Sequence, residues 1–295
     1  GNCLGEIMIP VCKADGQKNL DNVLDMIERL SNLPRSQDQH LLGIGIGIPG
    51  VTQVKEGIVT WAASLGWSNL PLVDIIAKRF IYPVFIENDV NIATLAELNF
   101  GAGRGVQNFV YLVVRTAGMG AGIVIGGALY RGQHMSSGEV GYLLPGMEYL
   151  GKTYEGYGAL EYLTSGQGIL KRAYSNHYIE KGHHLESDLT LDDVFFAAEK
   201  GEIWAKQVID ETIDYLGIAV TSLASILDPE VICFGGVITE RIGAIVESIE
   251  ARIKTGIPFM PRLEASSLGD KAVMLGATNL VLAEVLDFAM VKSYV

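Results

Sequence analysis

The apolar run Pro83-Val84-Phe85-Ile86 gives way abruptly to Glu87-Asn88-Asp89-Val90-Asn91 and then to a helix-like stretch ending at Phe100. Carboxylates and carboxamides therefore stand where a buried strand stops and a helix starts, which predicts an α/β arrangement. In an open α/β sheet, ligands sit beyond the carboxyl ends of the strands, where side chains face one another across a gap. Asp89 at such a place suits a hydroxylated ligand. A second reading is local. The short oxygen-bearing side chain of Asn88 or Asp89 caps the helix by accepting from a backbone N–H that the first turn leaves without a partner. On these residues alone the capping reading is the stronger.

At 295 residues the chain accommodates one large domain or two smaller lobes. No low-complexity tract and no apolar run of transmembrane length occurs. The first residues lack the basic head and apolar stretch of a secretory signal, so a cytoplasmic protein away from membranes is expected, with Gly1 read as a cloning remnant. A formal charge of −12 repels polyanions and no Lys/Arg stripe stands out, so this chain alone is not expected to grip DNA. Cys3, Cys12 and Cys233 are too few and too scattered for a disulfide framework or a thiolate metal site. Cys233 lies in an apolar run and reads as a buried small hydrophobe.

Val23, Met26, Ile27 and Leu30 recur at helical spacing within residues 20–33 and predict a packing helix. Residues 43–50 carry isoleucines at period two, so a strand with one bulky and one bare face is expected, closing in a Pro-Gly turn and allowing a close approach on the bare side. The formal G-x-G-x-x-G match over residues 45–50 is discarded as a dinucleotide fingerprint, because Pro49 interrupts it and no helix pattern follows at once. Residues 109–114 and 123–125 read as strands flanking a glycine-rich loop at 116–122, whose N–H groups are placed either to converge on an anion or only to make a tight turn. Residues 205–227 carry the longest helix pattern, ending at Asp228-Pro229. A strand at 231–234, the Gly235-Gly236 turn and a helix from about 242 suit a second α/β lobe.

The order of these elements resembles the ROK family of repressors, open reading frames and sugar kinases. The likeness is carried by Glu87-Asn88-Asp89-Val90-Asn91, Gly101-Ala102-Gly103-Arg104-Gly105, Thr116-Ala117-Gly118-Met119-Gly120-Ala121-Gly122 and Ser137-Gly138-Glu139-Val140-Gly141-Tyr142. It extends to Leu65-Gly66-Trp67 with Asn69, to Leu160-Glu161, to Asp228-Pro229-Glu230 with Gly235-Gly236, and to Leu275-Gly276-Ala277. The resemblance implies a two-lobed actin-like, ribonuclease-H-like α/β fold with a ligand cleft between lobes. A small lobe would comprise residues 1–88 plus 277–295, a large lobe residues 89–276, and a final helix from Gly276 to about Val291 would return to pack on the small lobe. Residues 4–10 resemble the strand that follows the family's first phosphate turn.

In the family's terms Asp89 would be the base of a kinase, while Asn69, Asn88, Asp89, Glu139, Tyr142 and Glu161 would surround a sugar. Gly118, Gly120, Gly122, Gly235 and Gly236 would line a nucleotide. Carboxylates and carboxamides supply the dense acceptor and donor pattern that a sugar demands. The chain departs from the pattern in three places. The D-x-G-G-T phosphate turn does not occur, and Thr116-Ala117 stands where the family has Gly-Thr, which weakens the expectation of ATP binding. Tyr142 replaces the histidine of the family's zinc site and residues 155–161 hold no cysteine, so no structural zinc is expected. His183-His184 reads as part of a solvated loop.

The expected function is the sugar-sensing part of a ROK transcriptional regulator, needing no cofactor and meeting DNA only through a segment absent from this chain. Leu65-Gly66-Trp67, the eroded phosphate loop and the start point favour it. The alternative is an ATP-dependent sugar kinase using Mg-ATP, favoured by the intact Glu87-Asn88-Asp89. A homo-oligomer is expected in either case.

Overall fold

The computed structural model describes residues 3–13, 15–34, 40–154, 158–183, 188–238 and 242–286. They fall into two compact units. The first draws on Gly1–Ala96, Gly132–Ser136 and Lys271–Lys292, the second on Glu97–Arg131 and Ser137–Asp270. The mixed α/β class expected from the sequence is found in both.

The first unit begins with helix α1 (Gly16–Ser31), capped by Asp15, whose side chain accepts from Lys18 N at 3.0 Å. Strand β1 (Ile44–Ile48) turns directly into β2 (Val51–Gln53), followed by β3 (Ile58–Ala62), β4 (Trp67–Leu70) and the short helix α2 (Leu72–Ala77). Strand β5 (Val84–Asn88) pairs parallel with β1, and β2, β3 and β4 form an antiparallel sheet. Ile48, Val59, Leu72, Ile76 and Ile86 form the buried centre, with Val23, Leu24 and Ile27 of α1 packed against it. Each such aliphatic side chain contributes about 2 kcal/mol when fully removed from water.

The bare face of β1 meets the last described helix, α9 (Lys271–Leu286). A Cβ at Gly45 would lie 2.5 Å from Ala277 O, so only glycine admits the helix backbone. The close approach expected on this face is thus made by the chain itself. α9 starts five residues before Gly276, which lies inside the helix because its missing side chain makes room for Ile92. The expected continuation to about 291 lies outside the described residues.

One expectation fails here. Residues 4–10 form no strand: Leu4 is exposed and Met8 is 87% exposed. A strand needs a hydrogen-bonded neighbour, and among the described residues none pairs with this segment.

Helix α3 (Asp89–Phe100) carries the chain across the boundary, which falls after Ala96. The second unit is built on a sheet of β10 (Arg262–Ala265), β9 (Val231–Gly236), β6 (Phe109–Arg115), β7 (Gly118–Ile125) and β8 (Ala128–Tyr130), in that order. β9 runs parallel to β6 and β10, while β7 is antiparallel to β6 and β8. Helices α4 (Ala159–Thr164), α5 (Gly166–Lys181), α6 (Leu191–Glu199), α7 (Ile203–Leu227) and α8 (Ile242–Ile253) complete the unit. Leu216, Val220 and Leu223 of α7 share one buried cluster with Leu112, Phe234 and Ile249, so the expected apolar stripe is the core-facing one. α7 stops where Asp228 takes a left-handed φ of 44° before Pro229.

The glycine-rich loop is shorter than expected. Thr116 and Ala117 alone make the turn, because Gly118 already pairs with Arg115 and β7 runs on unbroken to Ile125.

Candidate functional site

The expected ligand residues divide between the units. In the first, Asn88 ends β5 immediately before α3. Its Oδ1 accepts from Val90 N at 2.9 Å and Asn91 N at 3.0 Å, and its Nδ2 donates to Gly50 O at 2.9 Å. Asn88 is therefore a helix cap that also pins the Pro49-Gly50 turn, and the local reading of this residue holds. One Nδ2 hydrogen remains for a further acceptor. Glu87 supports it from behind: its Oε1 accepts from Asn88 N and from Asn91 Nδ2. Asp89 opens α3 and is 7% exposed. Asn69 lies exposed in β4 with φ of 48°, a left-handed conformation that asparagine tolerates.

Leu65-Gly66-Trp67 has a packing role in this unit. Gly66 closes a 3-10 turn at φ of 70°, and the buried Trp67 donates from Nε1 to Gly16 O at 2.8 Å. Asn19 Nδ2 donates to Leu65 O at 3.0 Å, so this corner fastens α1 to the sheet.

In the second unit Glu139, Tyr142 and Glu161 gather. Gly138, at φ of 84°, returns the chain against β7, and Ala121 N donates to Gly138 O at 2.7 Å. Glu139 then starts the 3-10 turn Val140–Tyr142, which leaves Tyr142 56% exposed. Glu161 is the third residue of α4 and reaches back to accept from Gly158 N at 3.2 Å. The amide of Met119 in β7 also donates to it. Burial raises the Glu161 pKa above the ordinary 4.5, and these two amides oppose the rise. The Tyr142 phenol is raised too, first by burial and then by the negative charges of Glu139 and Glu161. The result is an oriented carboxylate, a second carboxylate and a phenol, partly open to solvent. Such a set accepts from several hydroxyls and donates one hydrogen bond in return.

The glycines expected to line a nucleotide have packing roles. Gly118, Gly120 and Gly122 pair with Arg115, Val113 and Tyr111 in the β6–β7 ladder. A Cβ at Gly235 would overlap the Tyr111 hydroxyl, and one at Gly236 would overlap Val114 O. Both glycines are thus required for the close packing of β9 on β6. Among the described residues no three His, Cys, Asp or Glu side chains gather as a metal site. His183 stacks edge-on with His177 at 5.4 Å, while His184 and residues 155–157 lie outside the described residues.

Two features of the second unit escaped the sequence reading. Glu97 of α3 is fully buried, and accepts from Ser266 Oγ, from Leu268 N at 3.0 Å and from Ala102 N at 3.0 Å. A cavity of about 290 Å³ is lined by Tyr142, Lys152, Thr153 and Tyr154 among others. Its signal was present as a concentration of tyrosine, at 142, 149, 154, 157 and 162.

The chain is 33% identical to a glucokinase of Halalkalibacterium halodurans, over 94% of this chain and 88% of that protein. It is 31% identical to a xylose repressor of Caldicellulosiruptor bescii, over 93% of this chain and 71% of the repressor. Among solved structures, a ROK family glucokinase from Streptomyces griseus, in complex with glucose and AMPPNP, superposes with a TM-score of 0.73 at 25% identity, covering 88% of this chain and 87% of that one. The α/β, two-lobed actin-like fold class expected from the resemblance is that of these sugar kinases. No helix of the described residues is long and apolar enough to cross a membrane. Residues 9–284 match the family model of the ROK family, and the chain belongs to that family.

Proposed function

We propose that this chain binds a monosaccharide and serves as the sensing part of a ROK transcriptional regulator. The observation that carries the sugar reading is the gathering of Glu139, Tyr142 and Glu161, with the Glu161 carboxylate aimed by the amides of Gly158 and Met119. A carboxylate fixed by backbone N–H groups is pre-organised for hydroxyl donors, so little ordering is left to be done on binding. In the first unit, Asn69, Asn88 and Asp89 carry a sugar reading on the family resemblance alone. The regulator reading draws support from the tight Thr116-Ala117 turn, from the packed Gly235-Gly236 and from the similarity to a xylose repressor. The partners are a sugar, a second copy of the chain, and DNA through another segment, in the cytoplasm.

A kinase is the second reading, favoured by Asp89 at the start of α3 and by the similarity to a glucokinase. Melting the protein with a panel of sugars, with and without Mg-ATP, separates the two, because a ligand of the folded state raises apparent stability by mass action. Sugar-dependent shifts without phosphate transfer are expected. Turnover that Asp89→Asn abolishes would establish the kinase instead.

A further inference from the structure

The sugar reading above accounts for one edge of the cavity in the second unit and leaves the rest unused. Tyr142 is shared between the carboxylate pair and the cavity, and Gly158, whose amide holds Glu161, also lines it. The opposite wall is Lys152-Thr153-Tyr154, with Leu144 beside it. At about 290 Å³ the space lies at the lower end of the range for small-molecule pockets, the size for one ring rather than a large ligand.

The wall is held in place. Tyr154 packs on Tyr149 at 6.3 Å and on Tyr162 at 5.0 Å between ring centres, both tilted. The Tyr149 hydroxyl meets the Tyr215 hydroxyl at 3.1 Å, and the Arg172 guanidinium lies over the Tyr215 ring at 5.6 Å. Arg172 is in turn bonded to Leu163 O at 2.9 Å and Val208 O at 3.2 Å. A tyrosine fixed through this chain to α5 and α7 offers a stacking surface with little rotamer entropy left to lose.

The charges select among ligands. Glu139 and Glu161 lie against Tyr142, and the chain as a whole carries −12, so an anionic group entering beside them is repelled, with only Lys152 in the lining to offset it. A neutral polyhydroxylated ring meets the opposite conditions. Its C–H faces stack on tyrosine, and its hydroxyls reach Thr153 and the Lys152 ammonium.

We propose that this cavity is a subsite for a second pyranose or pentopyranose ring, so that the preferred ligand is a disaccharide, with one ring at Glu139, Tyr142 and Glu161 and the next against Tyr154. The inference rests on the sugar reading of that first site.

The test is a calorimetric titration of glucose and xylose, and of cellobiose, maltose and xylobiose, into the wild-type chain and into Tyr154→Ala, Thr153→Trp and Glu161→Gln. At least one disaccharide is expected to bind about tenfold tighter than its own monosaccharide, the gain of one added stacking contact. Tyr154→Ala removes that gain and leaves the monosaccharide unchanged. Thr153→Trp, which fills the cavity, does the same if truncation of Tyr154 unsettles the fold. Glu161→Gln weakens both ligands. Monosaccharide binding with no disaccharide gain, or a Tyr154→Ala loss equal for both, overturns the subsite and leaves the sugar reading standing. Failure of every sugar to bind the wild-type chain overturns the sugar reading, and the subsite with it.

Discussion

Asn88 and Gly50, 38 residues apart, are joined by a hydrogen bond of 2.9 Å from the Asn88 carboxamide to the Gly50 carbonyl. The same carboxamide caps α3 through Val90 N and Asn91 N. One side chain thus sets the start of the helix that carries Asp89 and the path of the turn after β1. Asn88→Ala should cost about 1–2 kcal/mol in urea unfolding, the sum of a lost cap and a lost hydrogen bond. Asn88→Asp keeps the cap but sets a carboxylate against a carbonyl oxygen, and should also lower stability. Wild-type stability in both variants would contradict this role.

Glu97 joins α3 to the segment after β10 across more than 160 residues of sequence. Its removal leaves Ser266, Leu268 N and Ala102 N without their acceptor inside the second unit. Glu97→Ala is expected to lose on the order of 3 kcal/mol of unfolding free energy, and Glu97→Gln less. A loss within about 0.5 kcal/mol, typical of surface substitutions, would refute the assignment.

Glu161 has the opposite balance. Burial raises its pKa above 4.5, so the folded chain holds this proton more tightly than the unfolded chain does. Between the ordinary and the raised value the folded state binds more protons, and stability falls as pH rises through that window. Glu161→Gln removes this penalty. The variant should melt no lower than wild type at neutral pH, and its relative advantage should shrink as pH falls through the raised value toward 4.5 and be gone below it. Melting curves that keep a constant, lower value for the variant across this range would show that the carboxylate is a stabilising group.

The thiols should react in a fixed order. Cys3 is exposed, whereas Cys233 is fully buried in β9 and burial pushes its thiol pKa up. Alkylation at about pH 8 should label Cys3 early and reach Cys233 only when the chain unfolds, because the thiolate is the reactive form. Early labelling of Cys233, read by peptide mass, would mean that β9 opens readily.

Much of this was legible in the chain. The stripe of α7 and the isoleucine face of β1 follow from periodicity, because burial repeats with the helix or strand. What occupies the bare face of β1 does not, since α9 arrives from the far end of the sequence. The glycines of β7 misled for a related reason: glycine marks a turn by its torsion freedom, yet here it yields space to neighbours within a paired strand. Residues 4–10 have a strand's pattern, but a pattern cannot supply the partner. Leu65-Gly66-Trp67, read as a mark of function, has a packing explanation in the Trp67–Gly16 bond. Glu139, Tyr142 and Glu161 are implied by the family resemblance, and the structure brings the three side chains together in the second unit. Beyond a concentration of tyrosine, the cavity beside them is not legible in the chain, because its walls come from separate stretches that only the fold brings together.

The central claim is that the Glu139, Tyr142 and Glu161 group holds a sugar. Titration of glucose and xylose into wild type and Glu161→Gln, each checked for an unchanged fold by circular dichroism, tests it most directly. Binding by wild type and a loss of at least about tenfold in the variant is the expected result, the scale of one charge-assisted hydrogen bond. Equal affinity in the two proteins would contradict it.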